Sequence, residues 1–458
     1  MEVLTRVGAP LWRQFVRSNA ILGINNPFCP TVADLPQSYA AHVSKMITGS
    51  HSFFDDLLDK PSVKAADHTE VDAAHLLLRI GLILGFVVTP VALLVSQRSI
   101  FVLSPIAGAL TLAAGLALAP RLRVRNVFAF LASPIGLTSI CISLWALASL
   151  IWTPFPAEAA PRLLKIVSTF LSVLPVAAAL PARSRAANLY VLPLGVASAA
   201  FGGIFLSSGL YDEGPDVSQN ETLLRAVTAM LLLFWPAAAA AVLRKRATLA
   251  ASLGIVVVTA AISVHASTAL AASAMAALAF AAAIADRRKA GLWIGRVGML
   301  SFIGAPALPL LFGPLTGDGA PAILASLKVW NGILAVDGPR MLTGHGFNYV
   351  MSGYFHGYLG AETPRSSLFE IWTDLGVLGA LACAALIYWS YQFAAAQSAR
   401  VAPYWIGVLT FVTAIGVFGG ATLQLWWITA LALALVALIL ASRGDFQTSR
   451  PTAPMQVG

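Results

Sequence analysis

The sequence predicts an all-α, polytopic membrane protein of about 12 transmembrane helices with one large loop on the outer face. Three observations predict it. First, 58% of the residues are hydrophobic and 11% charged, with a mean hydropathy of +0.80, whereas soluble domains carry about 25% charged residues. Second, the apolar residues come in runs of roughly 20, the length a helix needs to cross the hydrocarbon. They are rich in Ala, Leu and Val without period-two alternation, which argues helices and not a barrel. Third, basic residues collect in alternate short connections, as the positive-inside rule requires.

Residues 1–77 read as a polar cytoplasmic extension. Its start, LTRVGAPLWRQFVRSNAIL, spaces apolar residues helically around Arg6, Arg13 and Arg17. That suits a helix on the anionic inner leaflet or one packed on the membrane domain. Asp55, Asp56, Asp59, Asp67, Glu70 and Asp72 read as a solvated linker. His42, His51, His68 and His75 show no metal-ligand spacing, and Cys29, Cys141 and Cys383 form no disulfide or zinc pattern. The first long apolar run begins near Leu76, so no cleavable signal peptide is expected.

Residues 78–312 hold the first nine spans, centred on 78–96, 100–119, 127–152, 163–181, 189–208, 224–243, 247–265, 268–285 and 291–312. Residues 313–365 form the outer loop. Residues 366–442 hold spans at 367–391, 403–420 and 421–442, and 443–458 is a cytoplasmic tail. Connections on one side carry Arg121/Arg123/Arg125, Arg183/Arg185, Arg244/Lys245/Arg246 and Arg287/Arg288/Lys289; an opposite one, Tyr211 to Thr222, is acidic. This places both termini in the cytoplasm. The net charge of +9 therefore sets topology and is no footprint for nucleic acid.

The outer loop is the informative segment. In PAILASLKVWNGILAVDGP, Ile323, Leu327, Trp330 and Leu334 share one helical face, predicting an amphipathic helix on the outer leaflet with Lys328 toward water or the site. DGPR makes a turn, GHGFN folds tightly around His345, and a serine cap starts the next span near Ser366 or Ser367. That helix N-terminus favours an anion. Arg365 stands at it, and Arg340 and Lys328 from the loop and Arg225 from span 224–243 converge on it in this reading. Several cations at headgroup level describe a diphosphate pocket, and arginine suits phosphate through two-pronged contacts. His345 or His356, with His265 third, would take a proton from an incoming hydroxyl. Glu362, Glu370 or Asp374 would orient that histidine or bind sugar hydroxyls; Glu370 and Asp374, four apart, share a helix face. The competing reading pairs the loop arginines with surface carboxylates and uses Asp374 only in packing near Gly376 and Gly379. Trp330, Phe347, Tyr349, Tyr354 and Phe355 would stack on sugars or anchor the loop at the interface.

The segment RSSLFEIWTDLGVLGA resembles the signature of the O-antigen ligase/O-antigen polymerase family of bacterial membrane glycosyltransferases. That signature is His-Asn, an acidic residue nine after the His, then Gly-x-x-Gly; Asp374, Gly376 and Gly379 match it. Gly344-His345-Gly346-Phe347 resembles the family's Gly-x-Gly-Phe turn. Ser143-Leu144-Trp145 through Trp152-Thr153-Pro154, and Leu224-Arg225 followed by Phe234-Trp235-Pro236, resemble further family segments. The resemblance implies a C-type glycosyltransferase membrane fold in the bacterial inner membrane, without cofactor or metal. The implied donor is a glycan on undecaprenyl diphosphate, transferred at the periplasmic face to a lipid or glycan acceptor with inversion. Arginines would bind the diphosphate and a histidine would assist the acceptor. The chain departs from the signature in carrying Arg365-Ser366 where the family has His-Asn, and Lys328 is the cation nearest the loop tryptophan Trp330. Two other classes compete: a twelve-helix transporter, which would place charge near the bilayer midplane, and a non-catalytic subunit of a polysaccharide assembly complex.

Overall fold

A helix satisfies its own backbone polar groups, so apolar runs fold as helices where lipid is the solvent. The computed structural model of the chain describes residues 68–118, 124–181, 184–208, 217–312, 322–336, 338–360, 362–419 and 423–445, and among them there is no strand. The expected helix at residues 4–22 and most of the acidic linker lie outside these residues.

The helices are α1 (His68–Ile83), joined through a π-helical turn at Leu84–Val88 to α2 (Thr89–Val95), then α3 (Ser99–Leu118), α4 (Val124–Leu131), α5 (Pro134–Ser149), α6 (Pro156–Ala179), α7 (Ala186–Ser207), α8 (Val217–Leu243), α9 (Ala247–Ser263), α10 (Ser267–Ile303), α11 (Ala307–Phe312), α12 (Ala322–Val336), α13 (Tyr349–Phe355), α14 (Ser367–Ala396), α15 (Ala402–Phe418) and α16 (Leu425–Ser442). Among the described residues, eight stretches are long and apolar enough to cross a membrane: α1 with α2, α3, α6, α7, α8, α10, α14 and α16. The chain is a multi-pass membrane protein.

Three expected spans are divided. The run 127–152 becomes α4 and α5, because Ser133 is extended and caps α5 through Gly136 N–H at 3.2 Å while Pro134 opens it. The run 291–312 ends at Ile303, with α11 separate. The run 367–391 is broken at Gly376. The expected turn between 285 and 291 is tight: Asp286 leaves the helical conformation (φ −152°, ψ 97°), and its Oδ1 accepts from the N–H groups of Arg288 and Lys289 at 3.0 and 3.1 Å. The linker reading of Glu70 and Asp72 gives way to helix, since α1 already begins at His68.

The centre of the bundle is α8, whose apolar window is 83% buried. Helices α2, α7, α9, α15 and α16 surround it, and α10 packs along α14 and α15. Small residues let these helices approach without lipid between them. At Gly195 in α7, a Cβ would lie 1.6 Å from the Phe86 carbonyl oxygen in the π turn.

Helix α6 sets the scale between the two ends of the bundle. Its 24 residues rise about 36 Å. At its C-terminus Arg443 donates to the carbonyls of Ala177, at 2.7 Å, and Leu180, closing the helix end. Ser184 N–H donates to Arg443 O at 3.1 Å, and Arg244 donates to Ser184 O at 3.2 Å. Ser184–Arg185 and the basic connection 244–246 therefore share one end with the α16 C-terminus. The loop carrying His345 and His356 packs at the opposite end of α6.

Gly195→Ala should lower stability by about 1–3 kcal/mol, because backbone stands where the methyl must go. Gly332→Ala in α12, where a Cβ meets nothing within 4 Å, should be neutral or stabilising by up to about 1 kcal/mol. Thermal unfolding in detergent compares the two.

Candidate active site

A break in α14 organises this end of the molecule. Gly376 has φ 65° and ψ −161°, a region open essentially to glycine alone. A Cβ there would stand 2.5 Å from Gly344 N and 2.7 Å from the carbonyl oxygens of Met341 and Leu342. The break frees carbonyls that a continuous helix would have used, and buried carbonyls need donors. Thr373 O accepts from His345 N–H at 2.9 Å and from its Nδ1 at 3.1 Å. Asp374 O accepts from Gly346 N–H at 2.9 Å, and Leu375 O from the Trp145 indole at 2.8 Å. To reach them the loop turns through Gly344, Gly346 and Asn348, all at positive φ. The GHGFN stretch is thus the strand of chain that repairs the broken helix.

Asp374 is buried, and both its oxygens are engaged: Oδ2 accepts from Asn348 N–H at 2.8 Å and Oδ1 from Val350 N–H at 2.9 Å. It caps α13 from another helix, satisfying amides that α13 cannot satisfy itself. One turn earlier, buried Glu370 accepts from Leu423 N–H at 2.7 Å, tying the α15–α16 connection to α14. Arg162 of α6 stands close enough to both carboxyl groups to compensate them electrostatically. It donates to Asn348 Oδ1 and, at 2.8 Å, to Leu423 O. Phe347 is buried against Ala146, Ala159, Leu163 and Leu375; its N–H donates to Ser149 Oγ at 3.0 Å, and its carbonyl accepts from Thr153 Oγ1 at 3.1 Å.

The chemically exposed groups lie on the rim of this platform. The Arg365 guanidinium stacks on the Tyr354 ring, 4.5 Å from its centroid, and donates to the phenol oxygen. His356 closes α13: its Nδ1 is 2.8 Å from Ser352 O, its Nε2 is 3.5 Å from Glu158 Oε1, and its ring stacks on Phe155 at 5.0 Å. Ser352 Oγ donates to Glu158 Oε2 and accepts from Asn348 Nδ2 at 2.7 Å. Arg340 is exposed, and with His345, Trp330 and Trp372 it lines a recess that holds about one water molecule. That recess is too small for a sugar. Among the described residues, no group of three or more His, Cys, Asp or Glu is placed to hold a metal ion.

The predicted residues divide accordingly. His345, Asp374, Arg340, Arg365 and His356 all belong to this loop–helix assembly. His345 is buried and stacked on Tyr349 at 4.5 Å, and Asp374 works as a cap. Lys328 sits exposed on the expected loop helix, α12. Arg225 bonds Glu221 at 2.9 Å and Gln97 in the α2–α3 turn, with no hydrogen bond or ion pair to the loop among the described residues. His265 is exposed at positive φ between α9 and α10. Trp330 and Phe347 are buried anchors, whereas Phe355 remains 76% exposed. Sequence reasoning missed Glu158, Arg162 and Asn348. The signals were present: an acid and an arginine four apart in the first turns of α6, and an asparagine, tolerant of positive φ, after GHGF.

No protein-family model matches the chain, and no curated protein or solved structure matches it.

Asp374→Ala strands two amides, at about 1–3 kcal/mol each. The variant should melt lower and lose its loop to proteolysis between residues 341 and 360 faster than the parent; unchanged melting and cleavage would remove Asp374 from the docking account.

Proposed function

We propose that the chain is a glycosyltransferase of the O-antigen ligase/polymerase type in the bacterial inner membrane, transferring or polymerising a glycan carried on undecaprenyl diphosphate at the periplasmic face. In this reading α10 crosses twice, turning at Asp286, and the shorter apolar helices α5, α9 and α15 cross as well. That makes the twelve crossings the sequence predicts, with both termini cytoplasmic. The separation of the basic connections from the loop along α6 supports that orientation.

The observation that carries the reading is the rim itself. An exposed arginine, Arg365, is held by an aromatic ring at the N-terminal end of α14, beside a docked loop that also presents Arg340 and the His356–Glu158 pair. Guanidinium groups at a helix N-terminus suit a diphosphate, and the pair beside them suits proton transfer from a hydroxyl. Stabilising the departing diphosphate is where such cations contribute most. The resemblance of RSSLFEIWTDLGVLGA to the family signature agrees with the same chemistry.

A transporter would use its buried carboxyl groups to bind and release cargo. Here Glu370 and Asp374 are tied to backbone amides of the loop and of the α15–α16 connection, which leaves them a structural part. A non-catalytic subunit would have no use for an exposed histidine–glutamate pair where α6 meets the docked loop.

Reconstituted in liposomes with an undecaprenyl-diphosphate glycan and a hydroxyl acceptor, the protein should release undecaprenyl diphosphate as glycan is transferred. Arg365→Ala should lower that rate at least about a hundredfold with membrane insertion intact. Full activity in this variant would remove Arg365 from the mechanism, and no release by the parent would contradict the enzyme reading.

A further inference from the structure

We propose that the cleft between α7 and α9, at the basic end of the bundle, binds the phosphate headgroup of an anionic glycerophospholipid from the adjoining leaflet. The site lies at the end away from the docked loop and is independent of the glycosyltransferase reading.

The two helices run parallel, since each begins in a basic connection, α7 at Ala186 and α9 at Ala247. Toward their far ends they are tied together. Ser207 Oγ donates to Ser263 Oγ at 2.9 Å, and a Cβ on Gly203 would lie 4.0 Å from the Ala260 methyl. Near their starts an open cleft of about 540 Å³ stands between them, lined by Tyr190, Arg246, Thr248, Leu249 and Ser252. Ligand sites occupy roughly 300–1,000 Å³, so a headgroup has room there.

The polar lining supplies hydrogen-bond donors and one positive charge. The Arg246 guanidinium, the Tyr190 phenol and the Thr248 hydroxyl have no hydrogen-bond or ion-pair partner among the described residues. Ser252 is already committed, donating to Leu249 O at 3.1 Å. No carboxylate lines the cleft. A phosphodiester is the complement of this set: it carries one negative charge, its free oxygens only accept, and arginine can hold two of them at once. Lys245 adds an exposed, unpaired charge next to Arg246, in a turn that holds it at φ 59°. Arg244 instead donates to Ser184 O at 3.2 Å, tying the end of α8 to the start of α7.

The surroundings favour a lipid over a dissolved anion. Leu249 lines the cleft, and Leu194 and Ile255 are exposed eight residues into their helices. That is about 12 Å from the basic end, the depth of acyl chains whose phosphate sits at Arg246. Tyrosine is at home at headgroup level, and basic pockets between membrane helices take anionic headgroups. Topology accounts for the charge of the 244–246 connection, but it asks for no unpaired phenol and hydroxyl around a cleft beside it.

The test uses the full chain in detergent micelles, with bound phospholipid counted by native mass spectrometry. Dioleoylphosphatidylglycerol should bind at one molecule per chain, at least about fivefold more tightly than dioleoylphosphatidylcholine. Arg246→Gln should weaken it about fivefold. Ser252→Trp, which fills the cleft and leaves every charge in place, should abolish it. Arg288→Gln, which removes one charge from the turn at Asp286, should leave it unchanged. Melting in lipid-free detergent checks that each variant folds, and if Ser252→Trp does not, Arg246→Gln against Arg288→Gln decides. Equal affinity for the two lipids, or equal losses in those two variants, would reduce the cluster to general surface charge and overturn the site. Displacement of the lipid by an equal concentration of glycerol 3-phosphate would make a free phosphate the ligand and overturn the lipid assignment.

Discussion

A helix that stops being a helix in the middle of a membrane bundle must find partners for its freed carbonyls. The break at Gly376 creates that demand at Thr373, Asp374 and Leu375, and in a medium without water each unmet group costs several kcal/mol. The loop from Gly344 to Val350 and the Trp145 indole meet it. The Asp374 side chain returns the favour by accepting the two loop amides that α13 leaves open. The break and the loop are therefore one structure. Each supplies hydrogen-bond partners the other lacks.

This separates two kinds of residue that a sequence motif runs together. Asp374, Gly376, Gly344 and Gly346 build the platform, and Phe347 and Trp330 root it in two apolar clusters. Arg365, Arg340, His356 and Glu158 face outward.

Much of the helical plan was legible in the sequence because hydrophobic length and loop charge report directly on lipid as solvent. The loop helix with Trp330 inward and the cap at Ser366 were legible for the same reason: both are local patterns. The breaks at Ser133 and Gly376 were not. Ser-Pro and Leu-Gly inside long apolar runs read as tolerable interruptions until a neighbouring segment claims the freed backbone. The site was legible as a set of residue types but not as roles. Asp374 read either as a chemical group or as a packing one, and its two oxygens accept from amides 24 and 26 residues away in the chain. Glu158 looked like an ordinary first-turn acid. Only the packing of α6 against the loop puts its carboxylate next to His356, 198 residues further on. Arg225 looked like a loop partner and is occupied by Glu221 and Gln97 instead.

Backbone hydrogen exchange tests the docked loop most directly. The amides of His345, Gly346, Asn348 and Val350 should exchange as slowly as those inside α8, because their acceptors are buried in α14. Exchange at those four positions as fast as at Gly357, in the exposed turn beyond α13, would contradict the account.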